Sequence, residues 1–158
     1  MRLTTLMTTL LGCGSGTAVL GTCLIGCGGD AAGTWSGDCS LTADDSAVEL
    51  LIDMELTREG DTPSGHPYYA GTLHIDGQDV SWLASLSYGD DDSAILSAAG
   101  EDPAAAEGIT AVFHLTVDGF IDGGMYEGTG EYWTEVTTDG ETDTSRRYVG
   151  SCAFDKGS

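Results

Sequence analysis

From residue 47 to residue 57 the chain is apolar at every second position. Val48, Leu50, Ile52, Met54 and Leu56 take one parity, and Glu49, Asp53 and Glu55 stand between them. Only an extended strand, whose side chains point alternately to two faces, separates such a set into an apolar side and a wet side. The pattern returns in Val80, Trp82, Ala84, Leu86 and Tyr88 against Ser81, Ser85 and Ser87, and in Ile109, Ala111, Phe113, Leu115 and Val117. These are half-buried antiparallel strands. Reading the remaining runs in the same way predicts strands over 33–41, 47–57, 67–75, 79–88, 93–99, 108–118, 124–136 and 145–154. Asp76-Gly77 has the two-residue hairpin signature, and Asp139-Gly140 reads as a longer loop. In GEDPAAAEG, residues 100–108, one helical turn starting at Pro103 is the most that the pattern supports. The expected class is all-β, and 158 residues hold one domain with a core.

Charge divides the chain at one place. Arg2 is the only charged residue before Cys27, so all 26 Asp and Glu follow it, against four bases, Arg58, Arg146, Arg147 and Lys156. A field of that sign repels nucleic acid and anionic headgroups. With no Asn in the chain there is no N-glycosylation acceptor.

Residues 1–26, MRLTTLMTTLLGCGSGTAVLGTCLIG, have one early Arg, no acid and a body of apolar and small residues. That is the order of a signal peptide: a positive start, an apolar stretch, then small residues before the cut. Thr and Gly interrupt it too often for a membrane span. Leu24, Ile25, Gly26 and Cys27 resemble the lipobox of bacterial lipoproteins at all four places. Leu10-Leu11-Gly12-Cys13 is a weaker match with too little chain before it. The resemblance implies cleavage before Cys27, a diacylglycerol on its thiol, and a membrane partner reached through that lipid. With Gly28 rather than Asp after the cysteine, it implies the outer membrane. The expected organisation is a signal peptide over 1–26, a short tether over 27–33 and the β-domain over 34–155.

Cys39 and Cys152 lie near the two ends of the mature chain, and outside the cytoplasm such a pair is oxidised. Parity supports the pairing, since Trp35, Cys39 and Leu41 share a phase, as do Tyr148, Cys152 and Phe154. Both cysteines then point to the apolar side. A bridge there brings the first and last strands together, and an up-and-down barrel of about eight strands follows, with a β-sandwich as the alternative.

Gly33-Thr34-Trp35 resembles the G-x-W strand of the lipocalin and avidin barrels, in which the Trp packs across one end. That resemblance favours a lipocalin-like barrel and implies no ligand. Trp35, Trp82, Tyr126 and Trp133 are the candidate lining of a pocket for a small apolar molecule. His74 and His114 fall opposite the apolar parity, so they are expected in solvent, and with His66 they form no catalytic spacing. The acids of Asp90-Asp91-Asp92, and those of Asp118, Asp122 and Glu127, lack the spacing that wraps calcium. With no zinc spacing and no nucleotide fingerprint, no metal or cofactor is assigned. The expectation is a non-enzymatic cell-envelope lipoprotein with a small β-barrel that binds an apolar small molecule. The alternative is a structural or adhesion β-sandwich acting through its acidic surface.

Overall fold

A computed structural model describes residues 30–158 apart from Asp90 and Asp92. The expected leader, Cys27, most of the tether and two acids of the Asp90–Asp92 run lie outside the described residues. Nine strands follow in order: β1 (Gly33–Ala43), β2 (Ser46–Asp61), β3 (Pro67–Ile75), β4 (Trp82–Tyr88), β5 (Ala94–Glu101), β6 (Ile109–Asp122), β7 (Met125–Thr138), β8 (Glu141–Thr144) and β9 (Tyr148–Lys156). All belong to one antiparallel sheet. Each of β1 to β7 pairs with the next, and β9 pairs with both β7 and β1. Eight strands therefore close in a barrel-like ring of up-and-down topology, and one continuous sheet replaces the two faces of a sandwich.

The extra strand has a simple origin. β8 continues the returning chain along the end of β7, with Glu135 opposite Thr144, and β9 resumes with Tyr132 opposite Tyr148. Three steps back along β7 thus match four along the returning chain, which marks a bulge. Ser145 fills the irregularity: its N–H donates to the Thr134 carbonyl at 2.7 Å, and its hydroxyl accepts the Thr134 N–H at 2.8 Å. β9 is the expected last strand, and β8 is an additional one formed where a loop was expected.

The two Asp-Gly turns exchange the roles expected of them. Asp139 and Gly140 form a two-residue turn between β7 and β8, with φ of 54° and 84°. Both angles are left-handed, as the tight hairpin turn requires. Asp76-Gly77 instead opens a six-residue connection, because Gln78 N–H bonds Ile75 O at 3.1 Å while Val80 tucks into the core before β4 begins. Residues 102–108 form turns and no helix. Asp102 holds the first of them, accepting the Ala104 N–H on its side chain at 2.8 Å.

The interior follows the parity of the sequence except at the start of β6, where Ile109 is exposed and Ala111 and Phe113 are half-buried. Leu50, Ile52, Met54 and Leu56 of β2, and Trp82, Ala84, Leu86 and Tyr88 of β4, are all buried. Cys39 faces Cys152 directly in the β1–β9 register, and the disulfide joins them across 113 positions, with Cα atoms 4.1 Å apart. Ring closure demands room at that point. A Cβ on Gly130 of β7 would run into Cys152 Sγ, and one on Gly119 or Gly128 would strike the backbone of the facing strand.

Charge is spaced by the same register. Glu49 faces Ser40, Asp53 faces Ser36 and His74, and Glu55 faces Thr34 and Thr72. On the other side Asp118 faces Ile95 and Thr129, and Glu131 faces Thr116 and Val149. No acid faces an acid in any pair of the register, and like charges directly opposite are the destabilising arrangement.

Removing the bridge with a Cys39→Ser, Cys152→Ser double variant is expected to cost about 2–5 kcal/mol in urea unfolding. Gly130→Ala is expected to cost about 1–3 kcal/mol by overpacking against the bridge, measured in the same way, with free thiols counted to show that the bond survives.

Candidate functional site

Two ends define the ring. The chain enters at Asp30 on the end that also carries the β2–β3, β4–β5 and β6–β7 turns and the C-terminal residues; the β1–β2, β3–β4, β5–β6 and β7–β8 turns lie at the far end. The four aromatic residues nominated from the sequence are distributed over this frame and do not converge on one point.

Trp35 stands at the entry end, 2 % exposed, where its indole N–H donates to Ala31 O at 2.9 Å. Lys156 lies 5.7 Å from the ring centroid and donates to the Asp30 carbonyl at 2.5 Å. The Asp30 carboxylate accepts the Ala32 N–H at 3.1 Å and the Tyr69 hydroxyl at 3.2 Å. These bonds, the Ala32 one foremost, hold the carboxyl below its ordinary range against a smaller opposing effect of burial. Residues 30–32 are thereby tied across the entry end.

Tyr126 is fully buried, yet it is polar glue rather than a pocket wall. Its hydroxyl lies 2.7 Å from Val117 O and 3.0 Å from Ala94 O, and it accepts the Leu96 N–H at 3.2 Å. Leu96 and Val117 face each other in the β5–β6 register, so the phenol bridges that ladder from inside. Burial pushes its ionisation far upward, the same cause that pushes Tyr88 up to about 12.

Trp82 sits at zero exposure against Phe113 and Tyr132, with ring centroids at 6.0 and 6.5 Å. Phe113, Tyr132 and Tyr148 are only half-buried, so the far end is less tightly closed than the entry end. Trp133 has the opposite parity and stands on the outer face. There His114 stacks on it at 4.9 Å and the Arg147 guanidinium lies 4.5 Å from its centroid. Arg147 also pairs with Glu131 at 2.9 Å, and His114 Nε2 lies 3.4 Å from Glu135. His114 is therefore half-covered, whereas His74 stands in solvent as expected.

A concavity lies on the outside of β1, β2 and β3, an open groove of about 680 Å³. Trp35, Met54, Leu73, Val80 and Trp82 back it, but each is at most 8 % exposed. A ligand there would meet the exposed side chains of Thr34, Ser36, Asp53, Glu55, Thr72, His74 and Ser81. It offers hydroxyl donors, the carboxylates of Asp53 and Glu55 and one imidazole over a surface that is more apolar than polar. Sequence reading missed it because its residues share only an outward parity, and period-two alternation does not distinguish a groove from any other wet face.

No set of His, Cys, Asp and Glu converges as a metal site among the described residues. Asp118, Asp122 and Glu127 surround Phe120 on the outer face of the β6–β7 hairpin, where Phe120 pairs with Glu127. The chain matches no family model, no curated protein and no solved structure.

Tyr126→Phe is expected to lower stability by about 1–3 kcal/mol in urea unfolding, since Leu96 N–H and Val117 O lose their shared partner. Stability is also expected to fall as pH rises above about 10, where an unfolded tyrosine ionises and the buried one does not. The slope from Tyr126 is at most about 1.4 kcal/mol per pH unit, read as the difference between wild type and Tyr126→Phe in alkaline denaturation.

Proposed function

We propose that this chain is a lipid-anchored protein of the bacterial cell envelope, in the outer membrane, whose ring is a non-enzymatic domain acting through its outer surface. The observation that carries the reading is the junction of Leu24-Ile25-Gly26-Cys27 with a ring that is apolar inside and charged outside and begins six residues beyond the cysteine. A barrel that spans lipid presents the reverse, an apolar outer band around a polar interior. The polarity of this ring suits a domain held beside a membrane, and Cys27 supplies the means of holding it.

The filled interior favours surface action over a container. A small apolar ligand in the middle of the ring would have to displace Trp82, Leu86, Leu96 or Tyr126, all at or near zero exposure. One feature favours a second reading: the half-buried Phe113, Tyr132 and Tyr148 offer an apolar mouth at the far end, where a small molecule would cover rings that pack on Trp82 directly or through Tyr132. The outer groove of Asp53, Glu55 and His74 suits a polar or cationic partner.

Expression of the full chain and of Cys27→Ala in a bacterium that processes lipoproteins tests the anchor. The wild type is expected in the membrane fraction with the added mass of its acyl chains, and Cys27→Ala in the soluble fraction without it. A wild-type chain that stays soluble at its unmodified mass overturns the reading.

A further inference from the structure

Large apolar side chains are scattered over the outer face, Leu83 and Leu51 among the most exposed, and two others sit together beside the point where the chain enters. Phe120 is 60 % exposed and Met125 46 %. They flank the two-residue turn of Gly123 and Gly124, both with left-handed φ, and share a shallow depression with Asp122 and Glu127. The turn is tied to the entry of the chain through one residue: Lys156 N–H donates to Gly124 O at 2.8 Å, while its ammonium holds the Asp30 carbonyl. Met125 pairs with Asp155 in the next strand. Asp30 is three residues beyond Cys27, a reach of at most about 11 Å when extended. A lipid on Cys27 is therefore confined to the neighbourhood of this hairpin tip.

We propose that the β6–β7 turn is a membrane-contacting tip, which lays Phe120 and Met125 among the headgroups of a zwitterionic lipid surface and sets the orientation of the anchored ring. The charge around the tip selects the kind of lipid. Asp118, Asp122, Glu127 and Asp155 surround the two apolar side chains on the outer face. Carboxylates there meet the ammonium or choline groups of zwitterionic headgroups and are repelled by an anionic surface. Two partly exposed side chains do not hold a protein on a membrane by themselves. Their effect is to fix which end of an already tethered ring faces the lipid. The inference rests on the anchoring reading and goes beyond it.

The test uses the full lipidated chain carrying Phe120→Trp, reconstituted in vesicles of bromine-labelled phosphatidylcholine, with wild-type emission subtracted. Met125→Trp serves as a second reporter on the same face. Both substitutions lie on the outer face and leave the core untouched. Expected are a blue shift of the added emission and its loss to bromine, with less quenching as phosphatidylglycerol replaces phosphatidylcholine. An added emission that stays red-shifted and unquenched while the protein sediments with vesicles overturns the tip contact and leaves the anchor standing. A blue shift without quenching overturns it in favour of a second copy covering the tip. Quenching that does not fall in anionic vesicles overturns the headgroup preference. A chain of unmodified mass that does not sediment removes the anchor, and the tip proposal falls with it.

Discussion

The pairing of β1 with β9 is the interaction on which the rest of the structure depends. It joins strands more than a hundred residues apart, so loop closure opposes it more strongly than it opposes any hairpin in the ring. The Cys39–Cys152 bond sits within that pairing, at directly facing residues. Without the closure β1 and β9 would each present an open edge, a template for pairing with another chain. With it, Trp35 comes opposite Lys156, and Asp30 and the C-terminal residues share one end of the ring.

The acidity of the chain is compatible with this closure because of where the acids fall. The four bases after Cys27 cannot neutralise 26 acids, so repulsion is reduced by placement instead. Glu49, Asp53 and Glu55 of β2 look across at hydroxyls or a histidine. The few bases are used locally: Arg58 pairs with Asp61 at 2.7 Å, Arg146 with Asp44 at 3.1 Å, and Arg147 with Glu131. These are exposed pairs and individually contribute little. Spacing over the whole surface matters more than any of them.

Much of the fold was legible because period-two alternation and burial express one constraint. The parity of Val48 to Leu56, of Val80 to Tyr88, and of the two cysteines predicted which side chains lie inside. What escaped was decided by contacts between distant residues. Nothing local to Tyr126 tells that its hydroxyl bridges Leu96 and Val117, thirty and nine positions away. Trp133 looked like its aromatic neighbours until parity placed it beside His114 and Arg147. The Asp-Gly turns exchanged roles because Val80 has a place in the core and no residue near Asp139 does. Of the candidate site, the cysteine pair was readable from spacing, whereas the groove of Asp53 and His74 needed three strands in register.

Gly130 leaves the Cys152 sulfur its space, and both bridged cysteines are almost wholly covered, at 0 % and 3 % exposure. A reductant in the surrounding medium therefore has no path to the bond while the ring is shut. Loss of the bridge is governed by how often β1 and β9 part. The survival of the sulfur–sulfur bond in a reductant thus reports how rarely the ring opens.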